Sequence, residues 1–267
     1  MESGRRAEVA LILREVAEQA ILPRFRRLSE ADVREKSPGE IVTVADRHAE
    51  DLLTRRLAAL YPGSRVVGEE ACASSPSLRD RLDEGAVWLV DPLDGTANFV
   101  AGRGPFAIMA ALLVCGEAIG SWIYDPLSGR LCEAALGGGA FVDGRRVTTH
   151  QELPSTSEFA GAVFTRFMPP EISHKLGVRS SAIGRLAPGL NCAGAEYPAV
   201  AEGDRHFALF WRTVPWDHAP GALFLAEAGG HVGRWDGADY RPALEGEGLL
   251  IARNPAVANE ARRLLLL

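Results

Sequence analysis

The middle of the chain, from residue 66 to residue 135, consists of short apolar runs separated by turn residues. Apolar runs that end at acidic or turn residues are typical of buried β-strands. Short turns such as Gly116-Glu117 separate the later runs, so the pattern predicts a meander of antiparallel strands. The predicted strands cover residues 66–67, 87–90, 106–115, 118–124 and 130–135.

Helical patterns flank this strand-rich centre. Apolar residues recur at helical spacing from residue 9 to residue 20, and Pro23 then ends the pattern. The same spacing returns between residues 45 and 60, after a polar loop that contains Lys36. Central strands with helices on both sides predict a mixed α/β or α+β layered fold. Later elements are predicted as helices near residues 193–201 and 216–228 and after Asn254-Pro255, and as strands near residues 207–211 and 249–252.

Composition restricts the partners of the chain. Its 29 basic and 35 acidic residues give a formal net charge of −6, which argues against broad binding to nucleic acid or acidic membranes. The four cysteines include no C-x-x-C pair and indicate neither a zinc site nor a disulfide framework. The longest apolar run is too short to span a bilayer. We therefore expect a cytoplasmic protein. No long Pro-, Gly- or Ser-rich linker divides it, so we expect a single domain over residues 1–267.

Two aspartates directly follow the run 87–90, in the string Asp91-Pro92-Leu93-Asp94-Gly95-Thr96. The glycine permits a tight turn, so both carboxylates can converge. Carboxylate oxygens, with a peptide carbonyl such as that of Leu93, are the ligands that Mg²⁺ prefers. A helix that begins at Thr96 would direct the amides of Gly95 and Thr96 at an anion. The string indicates a metal-assisted phosphate site, although D-x-x-D-G alone is also the pattern of an ordinary surface turn.

Three further segments carry acidic residues that could complete such a site. Glu69 follows a short apolar strand, although paired glutamates such as Glu69 and Glu70 are usually solvated. Thr43 and Asp46 have the capping-box pattern at the start of the second helix, and this is the safer interpretation of that segment. Asp217 opens a late helix, where it is favourable as a first-turn anion and could equally face a metal.

In their order and spacing, these segments resemble the inositol monophosphatase superfamily of lithium-sensitive, magnesium-dependent phosphatases. The likeness extends over nearly the whole chain and includes a glycine-rich hairpin pattern at residues 138–144. The matching motifs are Thr43-Val44-Ala45-Asp46, Gly68-Glu69-Glu70, the string Trp-Leu-Val-Asp-Pro-Leu-Asp-Gly-Thr-Ala-Asn-Phe at residues 88–99, Trp216-Asp217-His218-Ala219 and Glu227-Ala228-Gly229-Gly230.

The resemblance implies a layered αβαβα sandwich that is usually a homodimer. We expect approximate sub-lobes within it, a metal and phosphate sub-lobe over residues 1–145 and a substrate sub-lobe over residues 146–267.

The resemblance also implies a centre of two or three Mg²⁺ ions per subunit. One ion would be held by Glu69, Asp91 and the carbonyl of Leu93. A second would be held by Asp91, Asp94 and Asp217, and a third, weaker ion would lie near Glu69. Water activated by Mg²⁺ would attack phosphorus in line with the leaving oxygen, without a covalent phosphoenzyme.

Catalytic and substrate contacts follow from the same resemblance. Thr96 and Glu69 would orient the attacking water, with Thr96 placed near Asp46. The amides of Gly95 and Thr96 would bind phosphate oxygens. The candidate substrate-binding residues are Asp94, Gly95, Thr96, Lys36, Gly194 and Phe210, of which Lys36 could equally be a solvated lysine.

Substrate choice is where the chain departs from the family pattern. Family members that act on inositol phosphate usually carry a glutamate seven positions before the late metal aspartate, and here Phe210 occupies that position. The segment 191–195 departs from the usual Gly-Ser-Ala-Ala. Trp211 is expected in the core, and His218 as a helix-start histidine with satisfied hydrogen bonds.

We expect a Mg²⁺-dependent phosphomonoesterase for a small phosphorylated polyol such as an inositol monophosphate. The alternative substrates are histidinol phosphate, fructose 1,6-bisphosphate and 3'-phosphoadenosine phosphates. An alternative of a different class is a catalytically silent regulator that binds metal and phosphate.

Overall fold

The computed structural model describes residues 3–179 and 183–265, which fold into alternating layers of helices and strands. No helix within these two ranges is long and apolar enough to cross a membrane. The helices are α1 (Ser3–Val16), α2 (Val44–Leu60), α3 (Glu69–Ser74), α4 (Thr96–Val100), α5 (Pro170–Arg179), α6 (Ala193–Glu202), α7 (Pro215–Glu227) and α8 (Pro255–Leu265). The strands are β1 (Val33–Ser37), β2 (Glu40–Thr43), β3 (Arg65–Gly68), β4 (Ala86–Asp94), β5 (Ala107–Val114), β6 (Glu117–Tyr124), β7 (Leu131–Ala135), β8 (Gly139–Val142), β9 (Arg145–Val147), β10 (Ala160–Phe164), β11 (Arg185–Leu186), β12 (Phe207–Phe210), β13 (His231–Arg234) and β14 (Leu249–Ala252).

A seven-stranded sheet forms the first β layer, in the order β3-β4-β5-β6-β7-β8-β9. From β4 onward the neighbouring strands are antiparallel, which confirms the predicted meander, whereas β3 is parallel to β4 and departs from it. Both faces of the central strands are buried. Along β4, Trp88 and Val90 pack in one core with α1 and α2. Val87 and Leu89 face the opposite core, where they pack with Trp216 of α7.

A five-stranded sheet, in the order β11-β10-β12-β14-β13, forms the second β layer. The helices α6 and α7 lie between the two sheets, because one core joins Met109 of β5, Phe224 of α7 and Ile251 of β14. On the outer face of the second sheet, Leu176 of α5 and Val257 of α8 belong to a separate core. The order of layers is helix, sheet, helix, sheet, helix, which confirms the expected αβαβα sandwich. The division into sub-lobes near residue 145 stays a prediction.

Several segments differ from expectation. The polar loop around Lys36 is the antiparallel hairpin β1–β2, in which Val33 pairs with Thr43. The first helical pattern does not stay α-helical up to Pro23, because one π-helical turn (Ala17–Ile21) and one 3₁₀ turn (Leu22–Arg24) follow α1. Proline lacks the amide that would continue the α-helical hydrogen bonds. No element was predicted for β10, α5 or β13, which are present.

Close packing of α6 against α7 makes Gly221 a sensitive position. A methyl group at residue 221 would lie 2.1 Å from Cδ2 of Tyr197, a fully buried ring. We expect Gly221→Ala to lower the free energy of unfolding by about 1–3 kcal/mol, as overpacked cores do. Urea titration followed by circular dichroism measures the change. Gly4→Ala in α1 is the matched control, because an added methyl there meets open space. Equal unfolding midpoints for the two variants would contradict this account.

Candidate active site

Asp91 and Asp94 both lie on β4, because the strand continues to Asp94 instead of ending before Asp91. In a regular strand, residues three apart point to opposite faces. Here Asp91 pairs with Met109 and Asp94 with Ala107, so β4 accommodates one extra residue. Such a bulge returns the later side chain to the face of the earlier one. The expected turn is thus a bulged strand end, and the tight turn comes at Gly95, whose φ is 84°.

Four carboxylates meet at this end of β4. Asp217, in the first turn of α7, forms a side-chain hydrogen bond with Asp91. Glu69 begins α3, directly after β3, which is the parallel neighbour of β4. Burial raises the pKa of Asp91 and of Asp217 well above the usual value, and the charges of Glu69 and Asp94 raise both pKa values further. Burial also raises the pKa of Asp94 to about 6. Buried carboxylates that raise one another's pKa are favourable sites for a cation.

The donor set fits a hard divalent cation. All four side chains present carboxylate oxygens, and Leu93 lines the same cavity with a peptide carbonyl available. Within residues 3–179 and 183–265, no three Asp, Glu, His or Cys side chains already surround a common point as a ready-made metal site. The assignment of metal ligands stays a prediction; it comprises Glu69, Asp91, Leu93, Asp94 and Asp217.

The carboxylates line part of a cavity of about 480 Å³ that is open to solvent. This volume accommodates a small metabolite. Other parts of its wall come from the β1–β2 hairpin, from β10 and the residues after it, from residues 189–193, and from the end of β12. The cavity therefore lies where the two sheets, α7 and the hairpin approach one another.

Oδ2 of Asp94 is held by two donors at the start of α6. The Gly194 amide donates to it at 2.6 Å, and Sγ of Cys192 donates at 3.1 Å. A methyl group at residue 194 would lie 2.8 Å from Cβ of Ala107, so the close approach of α6 to β5 depends on glycine at this position. Gly194 was expected to contact substrate. In the structure its amide holds Asp94, so Gly194 positions a carboxylate of the site, and its contact with substrate stays a prediction.

Asp46 caps α2 and faces Thr96 at the same time. Its Oδ2 accepts hydrogen bonds from the amide and the hydroxyl of Thr43, at 2.8 and 2.5 Å, which confirms the capping box. Its Oδ1 lies 3.1 Å from Oγ1 of Thr96, and that hydroxyl lies 2.9 Å from the carbonyl oxygen of Leu93. Burial raises the pKa of Asp46 to about 7, although the bonds from Thr43 lower it. Asp46 is therefore able to gain or lose a proton near neutral pH.

The helix α4 begins at Thr96 with Gly95 as its N-cap, as predicted. The Gly95 amide hydrogen-bonds the Asp94 carboxylate. The amides of Gly95 and Thr96 were both expected to face phosphate. The Gly95 amide is directed at the Asp94 side chain in the structure. The Thr96 amide, in the first turn of α4, has no acceptor within the helix.

Lys36 lies against Glu69 and Glu70 rather than in the open cavity. Its Nζ is 2.7 Å from Oε1 of Glu69 and 2.6 Å from Oε1 of Glu70. Burial lowers the pKa of Lys36, but the two carboxylates raise it more, so the net pKa is raised and the ammonium is retained. Two ionic hydrogen bonds of Lys36 thus tie the β1–β2 hairpin to α3, and its contact with phosphate stays a prediction.

Glu50 of α2 is a polar residue of this region that the sequence patterns did not reveal. Its Oε2 accepts a hydrogen bond from the Glu70 amide and its Oε1 one from the Ala71 amide, each at 2.7 Å. Gly68, the N-cap of α3, supplies no side-chain cap, so Glu50 caps that helix from outside. The available signal was a glutamate on the helix face that also carries Leu53 and Leu57, where a charge is rarely buried without partners.

Because Glu50 fixes the start of α3, its removal should displace Glu69. We expect Glu50→Ala to lower the free energy of unfolding by about 1–3 kcal/mol, since two partly buried amides lose their acceptor. We also expect it to weaken Mg²⁺ binding, measured by calorimetry. The exposed neighbour Asp51 offers the control Asp51→Ala, which should leave both quantities unchanged. Unchanged Mg²⁺ affinity in Glu50→Ala would mean that α3 holds its place without this cap.

A comparison of the sequence with protein-family models assigns the chain to a known family. The model of the inositol monophosphatase family matches residues 5–265. The chain belongs to the inositol monophosphatase family. This family is metal-dependent, generally with Mg²⁺. Membership in the family and the named relatives indicate that the chain is a phosphatase of the hydrolase class.

Relatives of this family member carry different names. A Nus factor SuhB from Pseudomonas aeruginosa is 32% identical over 86% of this chain and 85% of its own length. An inositol-1-monophosphatase from Mesorhizobium japonicum is 32% identical over 80% of this chain and 79% of its own. A histidinol-phosphatase from Chlorobaculum parvum is 31% identical over 92% of each. Because the chain is about equally identical to relatives with different names, the comparison does not identify its substrate.

Solved structures of the family share the fold. The Thermotoga maritima IMPase superposes with a TM-score of 0.83 at 24% identity, over 98% of this chain and 96% of that one. The extragenic suppressor protein suhB from Bartonella henselae gives a TM-score of 0.85 at 23% identity, over 99% of both chains. The sandwich deduced from the sheet order is therefore the fold of these proteins.

In this inositol monophosphatase family member, Phe210 lines the cavity and stacks on Phe164 of β10. The predicted position of Phe210 beside the substrate space is thus consistent with the structure, whereas its role stays a prediction. Trp211 is buried and packs edge-on against Trp235, which confirms its placement in the core.

Both ring nitrogens of His218 have partners, as predicted. Nδ1 lies 3.0 Å from the Tyr197 hydroxyl, and Nε2 lies 3.1 Å from the carbonyl oxygen of Arg212. Burial lowers the pKa of His218 to about 4, so the ring is neutral near pH 7. His218 thus connects α6, α7 and the end of β12 rather than acting as a metal ligand.

Proposed function

We propose that this chain is a Mg²⁺-dependent phosphomonoesterase that acts on a small phosphorylated alcohol. The observation that supports this most directly is the meeting of four carboxylates, from α3, β4 and α7, at the wall of one cavity. Membership in the inositol monophosphatase family supports the same reaction class. The homodimer, the cytoplasmic location and lithium inhibition that the resemblance implies stay predictions.

In this proposal, Mg²⁺ is held by oxygen ligands alone. When bound, Mg²⁺ lowers the pKa of a coordinated water and neutralises charge on the phosphate and on the leaving oxygen. The chain contributes mainly the positions and electrostatics of its own groups. The residues that would hold two or three ions are Glu69, Asp91, Leu93 through its carbonyl, Asp94 and Asp217.

Thr96 and Asp46 provide a path for a proton. Oγ1 of Thr96 donates its proton to Asp46 or to the Leu93 carbonyl, so its lone pairs can accept a hydrogen bond from the attacking water. Oδ1 of Asp46 can then take up a proton through Thr96, because the pKa of Asp46 near 7 matches a general base at neutral pH. Glu69, at the start of α3, would orient the same water.

Substrate identity is tested by phosphate release. Purified protein is assayed with myo-inositol 1-phosphate, histidinol phosphate, fructose 1,6-bisphosphate and 3'-phosphoadenosine 5'-phosphate, in Mg²⁺, in EDTA and in Mg²⁺ with Li⁺. We expect Mg²⁺-dependent release from at least one substrate and its loss in EDTA. The expectation of an inositol-like polyol predicts the fastest release from myo-inositol 1-phosphate. Tight Mg²⁺ binding without release from any substrate would favour a catalytically silent regulator.

A further inference from the structure

Part of the cavity wall is aromatic and cationic. Phe164 and Phe210 stack with ring centroids 4.6 Å apart and planes 10° apart. The guanidinium carbon of Arg212 lies 4.0 Å from the ring centroid of Phe167, and that of Arg166 lies 4.8 Å from it. All five residues line the cavity. We call this set the aromatic wall.

The carboxylate nearest to the aromatic wall is engaged by the chain itself. Glu40 of the β1–β2 hairpin forms an ion pair with Arg212 and accepts a hydrogen bond from the Ser37 hydroxyl at 2.5 Å. The hairpin is also bonded to Arg166 through the carbonyl of Gly39. A polyol pressed against the phenyl rings of the aromatic wall would give up hydrogen bonds to water that these rings cannot replace.

The same wall favours a flat unsaturated group. Aromatic rings attract other rings through their quadrupoles, and a planar guanidinium stacks on aromatic faces. Phe167 is 39% exposed, and Arg212 is 40% exposed at its side chain, so both retain surface for a ligand. A cavity of about 480 Å³ has room for one small ring beside a phosphate group.

Resting on the proposed phosphomonoesterase function, we infer that the preferred substrates are phosphate monoesters whose alcohol carries an aromatic or heteroaromatic ring. The ring lies against the aromatic wall while the phosphate lies at the carboxylates. The reaction is ordinary hydrolysis. The water oxygen bonds to phosphorus, the ester P–O bond breaks, and the ring-bearing alcohol leaves with one proton while inorganic phosphate remains.

The experiment compares benzyl phosphate with cyclohexylmethyl phosphate in saturating Mg²⁺. Both are esters of primary alcohols with similar leaving ability and a six-membered carbon ring, so the ratio of their kcat/KM values measures the preference for a flat, unsaturated ring. We expect benzyl phosphate to be favoured about tenfold or more, the size of a ring-stacking contribution. The kcat/KM for benzyl phosphate should also exceed that for myo-inositol 1-phosphate, contrary to the sequence-based expectation of an inositol-like polyol. A ratio near one, or a preference for the inositol ester, would overturn the inference.

Two variants locate the effect. Arg212→Lys retains a cation for Glu40 but removes the planar group, and Phe164→Leu retains an apolar side chain but removes the ring. Each should reduce the benzyl to cyclohexylmethyl ratio several-fold while changing kcat/KM for cyclohexylmethyl phosphate less. If both variants had the same benzyl to cyclohexylmethyl ratio as the unaltered protein, the aromatic wall would not be the cause of the ring preference.

Failure of the inference differs from failure of the proposed function. Hydrolysis of the probes without ring preference refutes only the inference about the substrate. No Mg²⁺-dependent hydrolysis of any of the three probes, nor of the other phosphate esters named above, overturns both. Should Phe164→Leu fail to fold, Arg212→Lys and the comparison of substrates on the unaltered protein still decide the question.

Discussion

Asp91→Asn should lower kcat by about a thousandfold without unfolding the protein. Asparagine has the shape of aspartate and can still accept the hydrogen bond that Oδ1 receives from the Leu93 amide at 2.9 Å. It lacks the negative charge with which Asp91 would help to hold Mg²⁺. Loss of one electrostatic stabiliser typically reduces rates by about 10² to 10³. Phosphate release at saturating Mg²⁺ measures the effect. The control is Asp51→Asn on the exposed face of α2, which should turn over normally.

In EDTA, Asp91→Asn should be more stable than the unaltered protein, although its activity is lower. A carboxyl whose pKa is higher in the folded than in the unfolded protein reduces stability as pH rises above the unfolded value, because the unfolded state then carries the charge more easily. Burial and three neighbouring carboxylates raise the pKa of Asp91 in this way. Removal of that charge should therefore raise the Tm in EDTA at pH 7. Near-normal turnover, or a large drop in Tm, would contradict the role given to Asp91.

Arg205→Ala should lower the free energy of unfolding by about 3–5 kcal/mol, the usual cost of breaking a buried ion pair. Nη1 of Arg205 lies 3.0 Å from Oε2 of Glu196, which is fully buried, and Nη2 donates to the Pro188 carbonyl at 2.8 Å. Oε1 of Glu196 accepts a hydrogen bond from the Leu190 amide at 2.6 Å. The pair thereby fixes the segment that leads to Cys192 and the donors of Asp94, so activity should fall as well.

Guanidinium chloride titration measures this loss, and two comparisons make it specific. Arg130→Ala breaks the partly exposed pair with Glu202 and should cost less than about 1 kcal/mol. A double variant, Glu196→Leu with Arg205→Met, removes both charges and should be more stable than Arg205→Ala, since no charge is left buried alone. A cost below 1 kcal/mol for Arg205→Ala would show that Glu196 finds another partner.

Much of the central sheet could be predicted because its signal is local. The run 87–90 is apolar at every position since β4 is buried on both faces. The bulge between Asp91 and Asp94 could not be predicted, because it depends on which residues of β5 pair with β4, and the sequence of β4 alone does not specify that register. The hairpin β1–β2 was missed because its first strand, Val33–Ser37, is largely polar and lies outside both large sheets.

Long-range contacts explain the other omissions. β10 contains Ala160, Gly161 and Ala162, small residues that give little strand signal. Gly161 is explained only by its neighbour, since a methyl group there would lie 2.3 Å from the ring of Phe207. The capping of α3 by Glu50 joins residues that are 20 positions apart along the chain. The αβαβα order likewise came from family resemblance, because periodicity along one chain does not order layers.

The division of the cavity between carboxylates around β4 of the first sheet and an aromatic wall on the second sheet has a consequence for how new specificities arise. The carboxylates lie on β4 and at the starts of α3 and α7, whereas the aromatic wall lies at the ends of β10 and β12 and on the residues that follow these strands. Side chains of that wall, such as Phe164 and Phe167, are not among the candidate metal ligands, so they can be exchanged while those ligands are kept. Such a scaffold can acquire a new leaving group by few substitutions, while the chemistry that releases phosphate is inherited unchanged.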